Sequence, residues 1–235
     1  MQSLGKTISC NQDDKKVRCP SLLIGETGNS KALNNEVINE RNMMPEIPNY
    51  ALNKDHEKGS EYSLNKKRDV SSIPKNSKEY WMYPSPQQFY NSLIRKNKDI
   101  DKNYIDAVVT VHNEVNEESW KHILKYEYLH RNKCNEVTLQ RFFGKFDDLS
   151  VKAKFRSIFS KLGKPFDRHD WYVNRCGTEV KYILDYYNDE SMNDDKNIYI
   201  DVRPALNSFS NIWDRVRYPF YEAYFKYIKR YELFR

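Results

Sequence analysis

The 235-residue sequence contains no long hydrophobic run. No apolar stretch approaches the ~20 residues that a membrane-spanning helix needs. The first residues, MQSLGKTISCNQDDKK, also lack the apolar segment of a secretory signal and the arginine-rich character of a transit peptide. With a net charge of +6 and a mean hydropathy of −0.90, the chain is predicted to be a soluble, mildly basic protein.

Cysteine is scarce, and its spacing does not suggest a metal site. The four cysteines are Cys10, Cys19, Cys134 and Cys176. None belongs to a CxxC pair, so we expect free thiols and predict neither a disulfide framework nor a ribbon-type zinc site. His122 and His130 lie close to Cys134 in sequence, but no fourth ligand follows nearby, and zinc is not favoured.

Aromatic residues are scarce before about residue 75. Residues 1–74 are instead rich in Asn, Lys, Glu and Ser. This composition buries too little apolar surface to offset the conformational entropy lost on folding. We therefore predict a disordered N-terminal tail over 1–74 and one folded domain over 75–235.

The folded region is predicted to begin with an aromatic cluster and a helix. Tyr80, Trp81 and Tyr83 are expected to anchor the core. Ser85 is a suitable N-cap for a helix that has Pro86 in its first turn. The apolar positions of this helix are Phe89, Tyr90, Leu93 and Ile94.

Two further helices are predicted on either side of a histidine. One covers 101–112, and Asn116 is expected to cap the next. The apolar stripe of that second helix is Trp120, Ile123, Leu124 and Tyr128. His112 then falls at a helix C-terminus on an apolar face. The pattern leaves three roles open for it: a packing residue, a cation stabilised by the helix dipole, or a ligand.

The segment 165–187 is predicted to form a β-hairpin. Trp171 to Arg175 is a short strand and Glu179 to Tyr187 a longer one. One face of the longer strand carries Val180, Tyr182, Leu184 and Tyr186. Cys176-Gly177 lies where the chain must reverse, because glycine tolerates the positive φ of a tight turn.

Four consecutive ionisable residues precede the first strand of this hairpin. They are Asp167, Arg168, His169 and Asp170. One interpretation is a solvated, charged turn that caps the hairpin. The other is a functional site in which His169 acts as a ligand, a base or a recognition group.

The rest of the chain adds helices and one strand. Ser150 to Gly163 is predicted to be a helix with a basic face, which is either solvated or meets anions. Asn197 to Val202 reads as a strand that ends at Pro204, and Asn207 or Ser208 caps the helix that follows. No nucleic-acid-binding motif accompanies the basic face, so nucleic acid is not an expected partner.

The last residues, YPFYEAYFKYIKRYELFR, are unusually aromatic and basic. Pro219 is predicted to begin a new turn there. The apolar stripe of this segment is Tyr221, Tyr224, Phe225 and Ile228. The composition is typical of a helix that lies on an anionic membrane surface, although a docking helix fits it equally well. Together the elements predict an α+β fold, a single mixed domain with antiparallel strands and several helices.

Several long sequence segments resemble the holocytochrome c synthases, also called cytochrome c haem lyases. Two of them are FDRHDWYVNRCGTEVKYILDYY and IDVRPALNSFSNIWDR, which ends at Arg215. Two more lie upstream, SSIPKNSKEYWMYPSPQQFYNSLIRK from Ser71 and VHNEVNEESWKHILKYEYLH from Val111. The resemblance runs in order over about 71–217. No common fold motif produces this set of segments.

The resemblance implies a haem site centred on His112. In this family the histidine of an HNxxxE motif is the axial ligand of haem iron, and that histidine matches His112, with Glu117 as its acidic partner. Trp81 and Tyr83 would line the haem, and His169 would shape the haem or substrate site. A Gly-Trp loop typical of the family is absent from NKDID (97–101), so the haem surroundings differ there.

The dipeptide Cys19-Pro20 is a further candidate haem contact. Thiolate is a soft axial ligand for haem iron, and a following proline keeps the chain extended. The family often carries Cys-Pro-Val in this region, whereas this chain has Ser21 after the proline.

The function implied by the resemblance is covalent attachment of haem to apocytochrome c or c1. The enzyme would be a lyase that forms thioether bonds between the haem vinyl groups and the cysteines of a CxxCH motif. It would be peripheral on the mitochondrial inner membrane, in the intermembrane space. Two alternatives stay open from the residues: a non-catalytic haem-binding sensor or chaperone, and a basic scaffold peripheral to membranes.

Overall fold

The computed structural model describes residues 38–39, 44–45, 63–95, 98, 100–145, 152–153, 163–189 and 197–224. Two short antiparallel hairpins come first. One is β1 (Ile38–Asn39) with β2 (Met44–Pro45), and the other is β3 (Val70–Pro74) with β4 (Tyr80–Met82). Strand β3 precedes the domain boundary predicted at 75. Most of the tail lies outside the described residues, so the division of the chain stays a prediction.

A four-stranded antiparallel sheet forms the centre of the fold. Its strands, in spatial order, are β5 (Val137–Gly144), β6 (Asp167–Arg175), β7 (Thr178–Asn188) and β8 (Ile198–Pro204). Three helices accompany it: α1 (Pro86–Arg95), α2 (Ile105–Glu127) and α3 (Phe209–Tyr224). The predicted α+β class with antiparallel strands is confirmed.

The core lies between one face of this sheet and helix α2. Val180, Tyr182, Leu184 and Tyr186 alternate along β7 and are all buried, as the sequence pattern predicts. They pack with Trp120 and Ile123 of α2 and with Trp171 and Val173 of β6. A second, smaller core joins α1 to the first turns of α2.

The predicted β6–β7 turn and two predicted helix caps are present. Cys176 and Gly177 have φ values of 45° and 91°, the left-handed conformation that a tight reversal requires. The Ser85 hydroxyl accepts a hydrogen bond from the N–H of Gln88, and that of Ser208 accepts one from the N–H of Asn211. Helix α3 passes through Pro219 without a new start, so the turn predicted there is wrong.

Helix α2 is one continuous helix of 23 residues, not two. The predicted break before Asn116 is wrong, because 113–116 contain no glycine or proline and Val115 extends the apolar row between the two halves. His112 therefore lies inside the helix and not at a C-terminus. The imidazole is far from both ends of α2, so the helix dipole does not stabilise a positive charge on it.

The four ionisable residues before Trp171 form buried strand, not a solvated turn. Asp167, Arg168, His169 and Asp170 are all buried and belong to β6. The solvated-turn interpretation is wrong because neighbouring strands supply counter-charges. Lys181 Nζ, for example, lies 2.8 Å from Asp170 Oδ2.

Cys134 and Cys176 form a disulfide, with Cα atoms 5.7 Å apart. The expectation of free thiols is therefore wrong for this pair, while Cys10 and Cys19 lie outside the described residues. Strand register explains the pairing. Val137 of β5 faces Arg175 of β6, so Cys134, three residues before β5, lies close to Cys176, the residue after β6.

The helix predicted over 150–163 lies mostly outside the described residues. Lys152 and Ala153 are helical, and Lys152 Nζ lies 2.7 Å from Asp201 Oδ2. Among the helices described, none has the length and apolar character needed to cross a bilayer.

Candidate functional site

His112 lies on the face of α2 that is directed towards the sheet. Val115, Ser119 and Ile123 continue this row along the helix, because residues three or four apart share a face. The imidazole packs against the ring of Phe89 in α1, with centroids 6.0 Å apart and planes tilted by 50°. The sequence pattern did not pair these two rings, since the contact depends on how α1 packs on α2.

The His112 imidazole is held neutral. Burial of its ring, which disfavours the charged imidazolium, and charge repulsion from nearby His169 together lower the pKa to about 4. The residue as a whole keeps some solvent exposure. At neutral pH the ring therefore offers a free nitrogen lone pair, which is the form that coordinates iron.

His169 of β6 is a second imidazole in the same region. Its side chain is 8% exposed, and its Nε2 lies 3.1 Å from Asp167 Oδ2. The ring meets Tyr186 edge to face at 5.4 Å, and the Tyr186 hydroxyl lies 3.1 Å from Ser119 Oγ on α2. Neither ring nitrogen of His169 makes a hydrogen bond to a described residue, so the contact with Asp167 is one of proximity only. The structure thus brings His112 and His169 together from distant parts of the sequence.

Glu117 connects α2 to the β3–β4 hairpin. Its carboxylate accepts hydrogen bonds from the Ser72 N–H at 2.9 Å, from the Ser72 hydroxyl, and from the Tyr83 hydroxyl at 2.9 Å. Burial raises the pKa of Tyr83, and Glu117 raises it further. Ser72 lies 45 residues before Glu117, so no local pattern in the sequence links the two.

In the described structure no hydrogen bond joins Glu117 to His112. Five residues along an α-helix turn by about 140°, so the two side chains leave α2 in different directions. The expected acidic partner is thus close to His112 in sequence but faces the hairpin. A direct orienting contact is not part of this structure, and a role of Glu117 towards haem stays a prediction.

Trp81 and Tyr83, the predicted haem-lining aromatics, have different surroundings. Trp81 packs edge to face on Phe142 at 5.3 Å, and its indole N–H donates to the Leu139 carbonyl at 2.8 Å. It therefore attaches the β3–β4 hairpin to strand β5, as a core anchor would. Tyr83 is held by Glu117 and borders a cavity.

This cavity, of about 810 Å³, lies along the face of α2 that carries Asn113 and Glu117, and its described lining includes neither His112 nor His169. Its walls come from α2, the β3–β4 hairpin and the first residues of β8. Its size falls within the ~300–1,000 Å³ typical of ligand pockets. Asn113, the residue after His112, lines it.

The remaining predicted ligands lie elsewhere. Cys19 is outside the described residues. His122 lies 3.4 Å from Glu118, and His130 lies 2.7 Å from Asp214. No group of three or more His, Cys, Asp or Glu residues within the described ranges is arranged to hold a metal ion. A haem iron differs from such a site because it takes its other ligands from the porphyrin.

Comparisons with known proteins agree with the resemblance seen in the sequence. The family model described as "Cytochrome c/c1 heme lyase" matches residues 2–218. No solved structure matches the chain.

Curated relatives cover most of the chain. A Bos taurus protein named "Holocytochrome c-type synthase" is 42% identical over 209 residues, which cover 86% of this chain and 72% of the relative. The Homo sapiens protein of the same name is 41% identical over 79% of this chain and 70% of the human protein. The Saccharomyces cerevisiae "Holocytochrome-c synthase" is 38% identical over 77% of this chain and 76% of the yeast protein. The chain belongs to the cytochrome c/c1 haem lyase family.

Proposed function

We propose that this chain is a lyase that attaches haem covalently to apocytochrome c or c1, with His112 as the axial ligand of the haem iron. One observation carries the assignment of the ligand. His112, the histidine of the HNxxxE motif, lies on a helix face near a second imidazole, His169, and burial keeps its ring neutral. Family membership supports the reaction class.

The reaction requires two thiols of a CxxCH motif and the two vinyl groups of haem. Each cysteine sulfur forms a bond to a vinyl carbon while the thiol hydrogen is transferred to the other vinyl carbon, so atoms balance and no external oxidant is consumed. The thiolate is the more reactive form of cysteine. The protein's contribution is mainly positional, because holding two reactants in register removes most of the entropic barrier.

Several described residues would contribute to the positioning of haem and acceptor. His112 would fix one face of the haem, which leaves the other face to the histidine of the CxxCH motif. His169 would border the haem on the side of His112, where its ring packs edge to face on Tyr186 and its Nε2 lies 3.1 Å from Asp167 Oδ2. Glu117 would act through Tyr83, because it fixes the hairpin that closes one side of the cavity.

A further haem contact is proposed outside this centre. Cys19, followed by Pro20, would offer a thiolate to haem during delivery, and not as the ligand held during the reaction. Removing residues 1–70 should therefore leave residual activity. A complete loss of activity would make Cys19 essential instead of accessory.

A peripheral location on the mitochondrial inner membrane, in the intermembrane space, is also part of the proposal. Helix α3 supports it, since large apolar side chains project from its surface: Phe209, Ile212, Trp213, Val216, Phe220 and Tyr224. Phe209 is 83% and Phe220 75% exposed. The sequence that follows is basic, which suits anionic lipid. Tyr221, predicted in this stripe, instead contacts Tyr128 at 5.9 Å.

The decisive experiment is coexpression with apocytochrome c and a supply of haem. The proposal predicts a haem-stained cytochrome band that survives denaturation, and no such band when both acceptor cysteines are serine. A haem-binding sensor or chaperone would bind haem but give no covalent product. A membrane scaffold would do neither, and either result would overturn the proposed function.

A further inference from the structure

The cavity along α2 has a charge opposite to that of the chain. Among the described residues that line it, five carry carboxylates: Asp69, Asp106, Glu114, Glu117 and Glu118. Lys67 and Lys121 are the lysines in the same lining, and Lys121 Nζ lies 3.1 Å from Glu118 Oε2. The lining thus has a net charge of about −3, within a protein whose net charge is +6. This potential disfavours the carboxylates of haem and attracts cations.

The cavity also has an apolar part. Val109 and Val115 of α2 face it together with Ile198 and Ile200 of β8. Lysine and arginine side chains combine an aliphatic stem with a charged head, and they bind best where apolar and anionic surfaces adjoin. The Oδ1 atom of Asn113, in the same wall, is buried and has no hydrogen-bond partner among the described residues, so it can accept from a donor that enters.

We infer that this cavity binds a positively charged segment of the acceptor polypeptide and holds it beside the haem ligand. The inference rests on the proposed function, and it adds where the acceptor is recognised and by what chemistry. Asn113 follows His112 on α2 but points about 100° around the helix from it, so the cavity and the imidazole lie on adjoining faces of the same helix. A basic segment seated along α2 would therefore leave the neighbouring face, with His112, to the rest of the acceptor and the haem.

The test removes two exposed carboxylates of the cavity, Asp69→Asn with Glu114→Gln. The matched control, Glu136→Gln with Glu179→Gln, changes the net charge equally but lies outside the cavity lining. Conversion of apocytochrome c by the purified, haem-loaded enzyme is measured against acceptor concentration at low and high salt. Haem binding is followed separately by the Soret band.

The cavity variant is expected to raise KM for the acceptor by about tenfold at low salt, with kcat and the Soret band unchanged. The difference from wild type should shrink at high salt, where exposed charges are screened. The control should behave as wild type.

Three results would overturn the inference: an unchanged KM, an equal rise in the control, or loss of the Soret band, which would assign the cavity to haem. A wild-type enzyme that converts no acceptor at all would instead refute the proposed function.

Discussion

A buried ion pair at the end of α2 gives a quantitative test of the fold. Arg175 of β6 donates to both carboxylate oxygens of Glu127, at 2.6 and 2.8 Å, and the Tyr182 hydroxyl donates to the same group at 2.6 Å. The Arg175 side chain is 10% exposed and that of Glu127 5%. Glu127→Ala would leave a buried guanidinium and a buried hydroxyl without their acceptor.

Removing one partner of a buried pair typically costs about 3–5 kcal/mol. Asp214 Oδ2 lies 3.8 Å from Arg175 Nη2 and compensates in part, so we expect the lower end, about 3 kcal/mol. With a urea m-value of about 2 kcal/mol/M, the unfolding midpoint should fall by about 1.5 M. Urea unfolding followed by tryptophan fluorescence measures this shift.

The matched control is Glu179→Ala. Glu179 also accepts two hydrogen bonds from an arginine, Arg141, at 2.8 and 3.0 Å, but these side chains are 44% and 39% exposed. A pair so solvated contributes at most about 1 kcal/mol. Equal losses in the two variants would refute the argument that burial, and not the number of hydrogen bonds, determines the cost.

Two further predictions concern the disulfide and pH. Replacing both Cys134 and Cys176 with serine should lower the free energy of unfolding by roughly 4 kcal/mol, because the bridge joins residues 42 apart and limits the conformational entropy of the unfolded chain. Urea unfolding curves that are identical with and without reductant would contradict the bridge. Because the pKa of His112 is about 4 in the folded state and 6.5 as its ordinary value, the unfolded chain binds more protons between these values. Stability should therefore fall as pH is lowered from 6.5 to 4, by up to roughly 3 kcal/mol. The slope should flatten in His112→Gln, and an unchanged slope would show that His112 is not held neutral.

Elements with local signals were predictable from the sequence. The β6–β7 hairpin was predicted because side chains alternate along β7 and Gly177 marks the reversal. The helices after Ser85 and Ser208 were predicted because a capping side chain acts within three residues of itself. Side-chain alternation and helix capping act between residues that are close in sequence, so the sequence pattern predicts them.

Features that depend on distant partners were not predictable. Asp170 was expected in solvent because its counter-charge, Lys181, belongs to the next strand. Cys134 and Cys176 meet only through the register of β5 on β6. The same holds for the site: His112 was identified through its family motif, but its approach to His169 depends on α2 packing against the sheet.

The most direct test of the central claim is the haem absorbance of purified His112→Ala. The matched control is His122→Ala, which removes an imidazole from the same helix where it lies near Glu118. If His112 holds the iron, the Soret band should be lost in His112→Ala and kept in His122→Ala. A His112→Ala protein that is folded and retains its full Soret band and cytochrome yield would contradict the assignment.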